Sequence, residues 1–284
     1  MSLLQYQVLP EPQVAVLMAV HADADPWHLD EALASMRAQT HQSVRLFIYC
    51  DGPLHAAHEV VLAKHLRSED GFDRVVRGDH PAGLPTGLNR LIDLAMQDSQ
   101  IQYMARMDAD DISMPDRIAR QTEFLRERPD VSIVGTWCIE FAEPNVPMFY
   151  KKLPSLASDV PRFMLYRSPL AHPTVMFRRA VFETGHRYDP RMLVMQDYEL
   201  WSRLIVAGEV ISNVPDYLLW FRMADGFFSR RSGVRRAWIE VRLRFNYARR
   251  SHLFKPVQLA GFFALFLIRV LPGSFKRLAY MHLR

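Results

Sequence analysis

The sequence predicts an α/β protein: a doubly wound, mostly parallel, Rossmann-like sheet followed by a helical, basic C-terminal extension. Three observations predict it. Apolar runs suited to strands alternate with helix-period segments roughly every 15–20 residues, the pattern of βαβ units. Turn residues separate these segments. The chain has 284 residues, enough for one full core and an appendage.

Each element follows from its residues. Residues 14–20 are a continuous apolar run, as expected of a strand covered on both faces. A helix comes next, with Asp25 as N-cap, Pro26 at the first helical position, and Leu29, Leu33 and Met36 recurring on one face. Residues 44–50 form a second strand, which stops at the turn chemistry of Asp51-Gly52-Pro53. Val61, Leu62 and Leu66 mark a helix, residues 74–77 a short strand, and Leu84, Leu88, Leu91 and Ala95 a further helix. Tyr103, Met104 and Met107 suit a buried strand.

Composition narrows the classes. Two cysteines, Cys50 and Cys138, cannot build a disulfide framework and lack zinc-site spacing, which favours a reducing compartment. The N-terminus lacks a basic region followed by an apolar run, so no secretory signal is expected. Net charge is +4, unevenly spread: residues 226–284 hold 13 Lys or Arg against Glu240 alone, a balance of +12, leaving −8 in the first 225 residues. An acidic body with a basic tail points to a polyanionic surface as partner.

Residues 103–117 read YMARMDADDISMPDR. If the strand runs on through the acids, Asp108 and Asp110 share a face and Asp111 points opposite. Two carboxylates then meet at a strand's carboxyl end, the ligand edge of an open α/β sheet, where like charges call for a cation. Oxygen ligands with no His or Cys favour Mn2+ or Mg2+, held together with substrate phosphates. The same stretch serves equally as an acidic loop, with Asp111 or Ser113 capping a helix near 114–127. Neither G-x-G-x-x-G after the first strand nor a P-loop motif is present, so dinucleotide oxidoreductases and P-loop NTPases are excluded.

Several motifs occur together: Ala38-Gln39-Thr40, Asp51-Gly52, Gly83-Leu84 with Leu88-Asn89, the cluster from Arg106 to Asp111, Pro115-Asp116-Arg117, Val134-Gly135, His172-Pro173, and residues 196–201, QDYELW. In this order they resemble a family 2 glycosyltransferase of the GT-A fold over roughly residues 14–222, within a catalytic domain of 1–225. The resemblance is strongest to the branch that builds bacterial surface polysaccharides on lipid carriers.

The resemblance implies roles. Val20 and His21, at the end of the first strand, and Asp51, at the end of the second, hold the base and ribose of a sugar nucleotide, commonly UDP. Asp51 could equally be a turn residue. Asp108 lies near ribose and metal, and Asp110 coordinates the metal on the diphosphate. Asp197 is the general base that deprotonates an acceptor hydroxyl for inversion, with Glu199 as fallback; as a bare residue, Asp197 also suits a helix cap. His172 contacts ligand or diphosphate, and Arg106 pairs with Asp108, Asp110 or a phosphate, or is purely structural. The chain departs from the pattern at Gln196, where the family has Glu, and at Ala19, His21, Cys50 and Pro81, which bears on donor choice.

In the tail, arginines are interleaved with Trp238, Phe245 and Tyr247, and the next 13 residues, 256–268, carry no charge. That is short of the roughly 20 residues that span a bilayer. A buried helix would explain it, as would an interfacial anchor on anionic lipid, which the basic and aromatic flank favours. Nothing resembles a nucleic-acid-reading module. The expectation is an inverting, metal-dependent glycosyltransferase, peripheral on the cytoplasmic face of the cell membrane. It takes sugar from a UDP-type donor to a polyprenyl-diphosphate-linked saccharide of O-antigen, capsule or exopolysaccharide. Transfer to polyprenyl phosphate, or a silent nucleotide-sugar- or lipid-binding scaffold, is the alternative.

Overall fold

A computed structural model describes residues 12–67, 72–223 and 233–270. The expected boundary at residues 225 and 226 lies outside the described residues. Strands β1 (Gln13–Val20), β2 (Val44–Cys50), β3 (Arg74–Arg77) and β4 (Ile101–Arg106) pair in parallel in the order β3-β2-β1-β4. Helices α1 (Pro26–Arg37), α2 (Ala56–His65) and α3 (Leu84–Met96) make the crossovers. Parallel strands covered on both faces need apolar residues at every position. Accordingly, all seven residues of β2 are buried. Alternate side chains divide between two cores. Ala15, Leu17, Phe47 and Tyr49 pack with Leu88 and Leu91 of α3, whereas Val16, Met18, Leu46 and Ile48 pack with Leu29 and Leu33 of α1. The α1 start is as expected: Asp25 accepts the Trp27 N–H at 2.8 Å and Pro26 opens the helix.

The second half adds β5 (Ile112–Ser113), α4 (Arg117–Glu127), β6 (Ile133–Phe141), β7 (Pro147–Lys151), α5 (Val160–Met164), a 3₁₀ turn at His172–Thr174, β8 (Met176–Arg178), α6 (Arg179–Glu183), α7 (Gln196–Val206) and β9 (Ile211–Arg222). Beyond β4 the sheet continues β8-β6-β9-β5, with β7 also along β6. Short β8 is antiparallel to both β4 and β6, and β9 is parallel to β6. The carboxyl ends of β1, β4, β6 and β9 therefore open onto one edge of the sheet, and the site lies there.

The basic extension contributes α8 (Val234–Arg250) and α9 (Gln258–Val270). Tyr247 and Ala248 of α8 enter the same core as α3 and α7. The Tyr247 hydroxyl donates to Pro161 O at 2.9 Å, and the Arg244 guanidinium stacks 5.0 Å from the Tyr198 ring centroid while pairing with Glu240 at 2.7 Å. Most of the uncharged run, from Gln258 onward, lies in α9, which continues through Arg269 to Val270, and among the described residues no helix is long and apolar enough to cross a membrane.

Candidate active site

Strand β4 stops at Arg106 and the chain turns at Ala109 and Asp110, so strand alternation does not govern the acids. This corrects the expectation for Asp111. Instead of pointing away, it joins the others, and Asp108, Asp110 and Asp111 bring carboxylate oxygens within 4.8 Å of one another. Asp111 is 1% exposed. Its Oδ1 accepts the Arg222 N–H at 2.7 Å, and its Oδ2 has no hydrogen-bond partner among the described residues.

Nor do Asp111 or Ser113 cap the following helix, which begins at Arg117 without a cap bond from its own N-cap, Asp116. Gln39 does this work from the end of α1. Its Oε1 accepts the Ile118 N–H at 3.0 Å, and its Nε2 donates to Ser113 Oγ at 3.1 Å and Met114 O at 2.8 Å. The Ala38-Gln39-Thr40 motif is thus the brace of the acidic loop, a role that sequence reasoning missed.

Charge is concentrated here. Burial, and next the charge of Asp108, pushes the Asp110 carboxyl up to about 6. Burial likewise raises Asp111 well above the usual carboxylate range, with Asp108 and Asp110 adding to it. Arg106, 2% exposed, pairs with Asp108. Fully buried Arg117 donates to Pro173 O at 2.7 Å and Arg106 O at 3.2 Å, tying the loop to the His172 turn. Burial lowers its pKa to about 10. A buried carboxylate oxygen without a donor is costly, and a cation bound among the three acids relieves it. The donor set is all oxygen, so the residues present fit a hard divalent ion.

Asp197 is in the opposite condition. It lies in the first turn of α7, whose N-cap Met195 adopts a left-handed backbone (φ 59°) and makes no side-chain cap bond. Non-glycine residues rarely adopt that conformation. Asp197 is half-buried and, among the described residues, makes no hydrogen bond or ion pair, so it does not cap the helix. Glu199, the fallback base, is already committed: it accepts from Arg203 at 2.7 and 2.9 Å.

His172 and Tyr188 lie between the acids. His172 Nε2 is 2.9 Å from the Tyr188 hydroxyl, and its ring meets Tyr188 and Trp201 edge-on. Burial, and then Arg106, holds the imidazole pKa well below its usual value, so the ring is neutral at neutral pH. Burial raises the Tyr188 phenol, which also feels the charges of Arg106, Asp197 and Asp108. Asn89 positions Tyr188 by donating to its carbonyl at 2.8 Å and accepting its N–H at 2.9 Å. Tyr188 was missed in the sequence, and Leu88-Asn89 was the signal that could have found it.

The remaining candidates sit at the end of β1 and β2. Val20 O accepts the Asp51 N–H at 2.8 Å, and His21 beside it is exposed. The Asp51 carboxylate accepts from Ala82 N at 2.6 Å and Gly83 N at 3.1 Å, clasping the loop that enters α3. Gly52 has φ 89°, and an added Cβ would lie 3.0 Å from Pro81 Cδ, so the turn needs glycine there.

Fold and site together place the chain among glycosyltransferases of the GT-A architecture. A family model described as glycosyl transferase family 2 matches residues 22–185, and the chain belongs to that family. An uncharacterized glycosyltransferase of Haemophilus influenzae is 31% identical over 232 residues, covering 81% of this chain and 83% of its own length. The UDP-Gal:alpha-D-GlcNAc-diphosphoundecaprenol beta-1,3-galactosyltransferase of Escherichia coli is 27% identical over 270 residues, covering 95% of each chain. Among solved structures, the mannosyltransferase PcManGT of Pyrobaculum calidifontis, in complex with GDP-Man and Mn2+, superposes with a TM-score of 0.59 at 15% identity. That match covers 86% of this chain and 67% of the other, and it supports the fold alone.

Proposed function

We propose that this chain is an inverting, divalent-metal-dependent transferase that moves a sugar from a UDP-linked donor to a hydroxyl of a polyprenyl-diphosphate-linked saccharide in surface-polysaccharide synthesis, at the inner face of the cell membrane. The observation that carries the reading is the contrast of carboxylates. Three converge, and among the described residues one of their buried oxygens lacks a donor while Asp197, in the first turn of α7, has no hydrogen-bond or ion-pair partner. The Escherichia coli relative, named for UDP-Gal and a diphosphoundecaprenol-linked substrate, supports the donor and acceptor class. The all-oxygen cluster of Asp108, Asp110 and Asp111 supports the metal.

In this reading Asp108, Asp110 and Asp111 hold the ion, and Arg106 keeps Asp108 oriented toward it. When bound, the ion stabilises negative charge on the departing nucleoside diphosphate. Val20, His21 and Asp51 line the base and ribose end. The Asp51 lone pairs left over from Ala82 and Gly83 accept from the base. Asp197 takes the proton of the acceptor hydroxyl, and attack from its side of the sugar, away from the diphosphate, inverts the anomeric centre. Neutral His172, held by Tyr188, contributes a hydrogen bond to the bound donor.

Isothermal titration with UDP, GDP and ADP, with and without Mn2+, tests this. Mn2+-dependent binding of UDP above the other two, abolished in Asp110→Ala, is the expected result. Binding of none of them by folded protein, or equal binding without metal, overturns it.

A further inference from the structure

Among the described residues, helix α9 is held to the body by one side only. Phe262 and Gln258 are buried, with the Phe262 ring beside that of Tyr166, and Phe254, in the link from α8, meets Phe245. The other side presents Leu259, Phe263, Leu267 and Val270, spaced by four, four and three residues, at 50%, 63%, 48% and 41% exposure. Val257, 75% exposed, extends the stripe at its start. Such a row of large side chains on one face of a helix is a docking surface rather than scattered surface residues.

What covers it is argued from charge. Helix α8, packed against α9, exposes Arg235, Arg242, Arg249 and Arg250, together with Trp238 at 63% exposure. Lys255 is exposed in the link between the helices. Residues 233–270 contain one acid, Glu240, and it is buried against Arg244. An apolar stripe beside a basic, Trp-bearing helix free of exposed acids matches the boundary between anionic headgroups and acyl chains. It is poorly suited to a second copy of itself, which would bring the arginines together.

We infer that α9 lies flat in the surface of an anionic membrane, seating Leu259, Phe263, Leu267 and Val270 at the acyl boundary while the α8 arginines and Trp238 engage the headgroups. The inference rests on the lipid-linked acceptor proposed above and deepens it, because α8 packs on α7, the helix that carries Asp197. The docked helix pair holds the proposed base at a set height above the surface from which the acceptor's lipid emerges.

The test uses the full chain with vesicles of phosphatidylcholine alone, and of phosphatidylcholine and phosphatidylglycerol in equal parts. Wild type should sediment with the anionic vesicles only. Phe263→Asp with Leu267→Asp alters exposed positions, so the variant should keep its Mn2+-dependent nucleotide binding while vesicle affinity falls about tenfold or more. Arg235→Glu with Arg242→Glu should weaken anionic binding with α9 intact. Three outcomes overturn the inference: unchanged sedimentation of the Asp variant, equal binding of wild type to neutral vesicles, or a wild-type dimer that the Asp variant dissociates without losing vesicle binding. Transfer to a water-soluble acceptor separates the two readings. Activity there without vesicle binding removes the docking face alone. Vesicle binding without transfer removes the transferase reading alone.

Discussion

The two acidic sites differ in almost every respect. Asp108, Asp110 and Asp111 are crowded together, partly or wholly buried, and braced from three directions by Gln39, Arg106 and Arg222. Asp197 stands at a helix start, half-exposed and, among the described residues, unpartnered. Rigid crowding raises the cost of ionisation, which a bound cation repays. A solitary carboxylate keeps its lone pairs for an incoming proton. In the function proposed above, the same functional group is thus prepared for two tasks by what surrounds it.

The sharpest way to break this comparison is Asp197→Asn. Transfer should fall by about 10²–10⁴-fold, with Mn2+-dependent nucleotide binding retained. A single-turnover assay near the wild-type rate would remove Asp197 as base. Asp111→Asn should weaken Mn2+ by about 10–100-fold, read by titration; an unchanged affinity would make Asp111 a strut only. Asn89→Ala removes both bonds to the Tyr188 backbone and should cost about 1–3 kcal/mol in denaturant unfolding, lowering transfer through a loosened His172.

The pH dependence of stability sharpens the contrast further. A carboxyl raised from 3.8 to about 6, as in Asp110, contributes stability that is fully present below 3.8 and is lost as pH rises through about 6. Asp111, also raised, acts in the same direction. Metal-free protein should therefore melt a few degrees lower at pH 7 than at pH 5, with Mn2+ restoring more at pH 7; a flat thermal profile would contradict the crowding account. The smallest effect expected is that of Glu199→Gln. The Arg203 pair is partly exposed, so about 1 kcal/mol or less of stability should be lost and transfer should stay within about twofold. A large loss of transfer would return Glu199 as a candidate base.

Local chemistry was legible in the sequence. The bounds of β2 and β3 and the Asp25 cap of α1 follow from residues within a few positions of each other. The parallel half of the sheet followed from alternation. What could not be read depends on distant partners. Alternation predicted the wrong side for Asp111 because β4 ends where three-residue β8 ceases to pair, a boundary set some 70 residues downstream. Gln39 reaches Ile118 across 79 positions, and Asn89 reaches Tyr188 across 99. The motifs mark Gln39 and Asn89, but nothing near them in sequence names the partner.

The hydrogen bond from Arg222 to Asp111 spans 111 residues, and Arg222 also donates to Asp110 O and Glu31. This has a consequence for biosynthesis. A nascent chain emerging from the ribosome displays its acidic loop long before the last strand, β9, exists to clamp it. Until synthesis passes residue 222, Asp111 Oδ1 lacks the N–H that it accepts in the fold. The clasp on the Asp111 carboxylate and the Asp110 carbonyl therefore arrives late, and a polypeptide released before residue 222 lacks it.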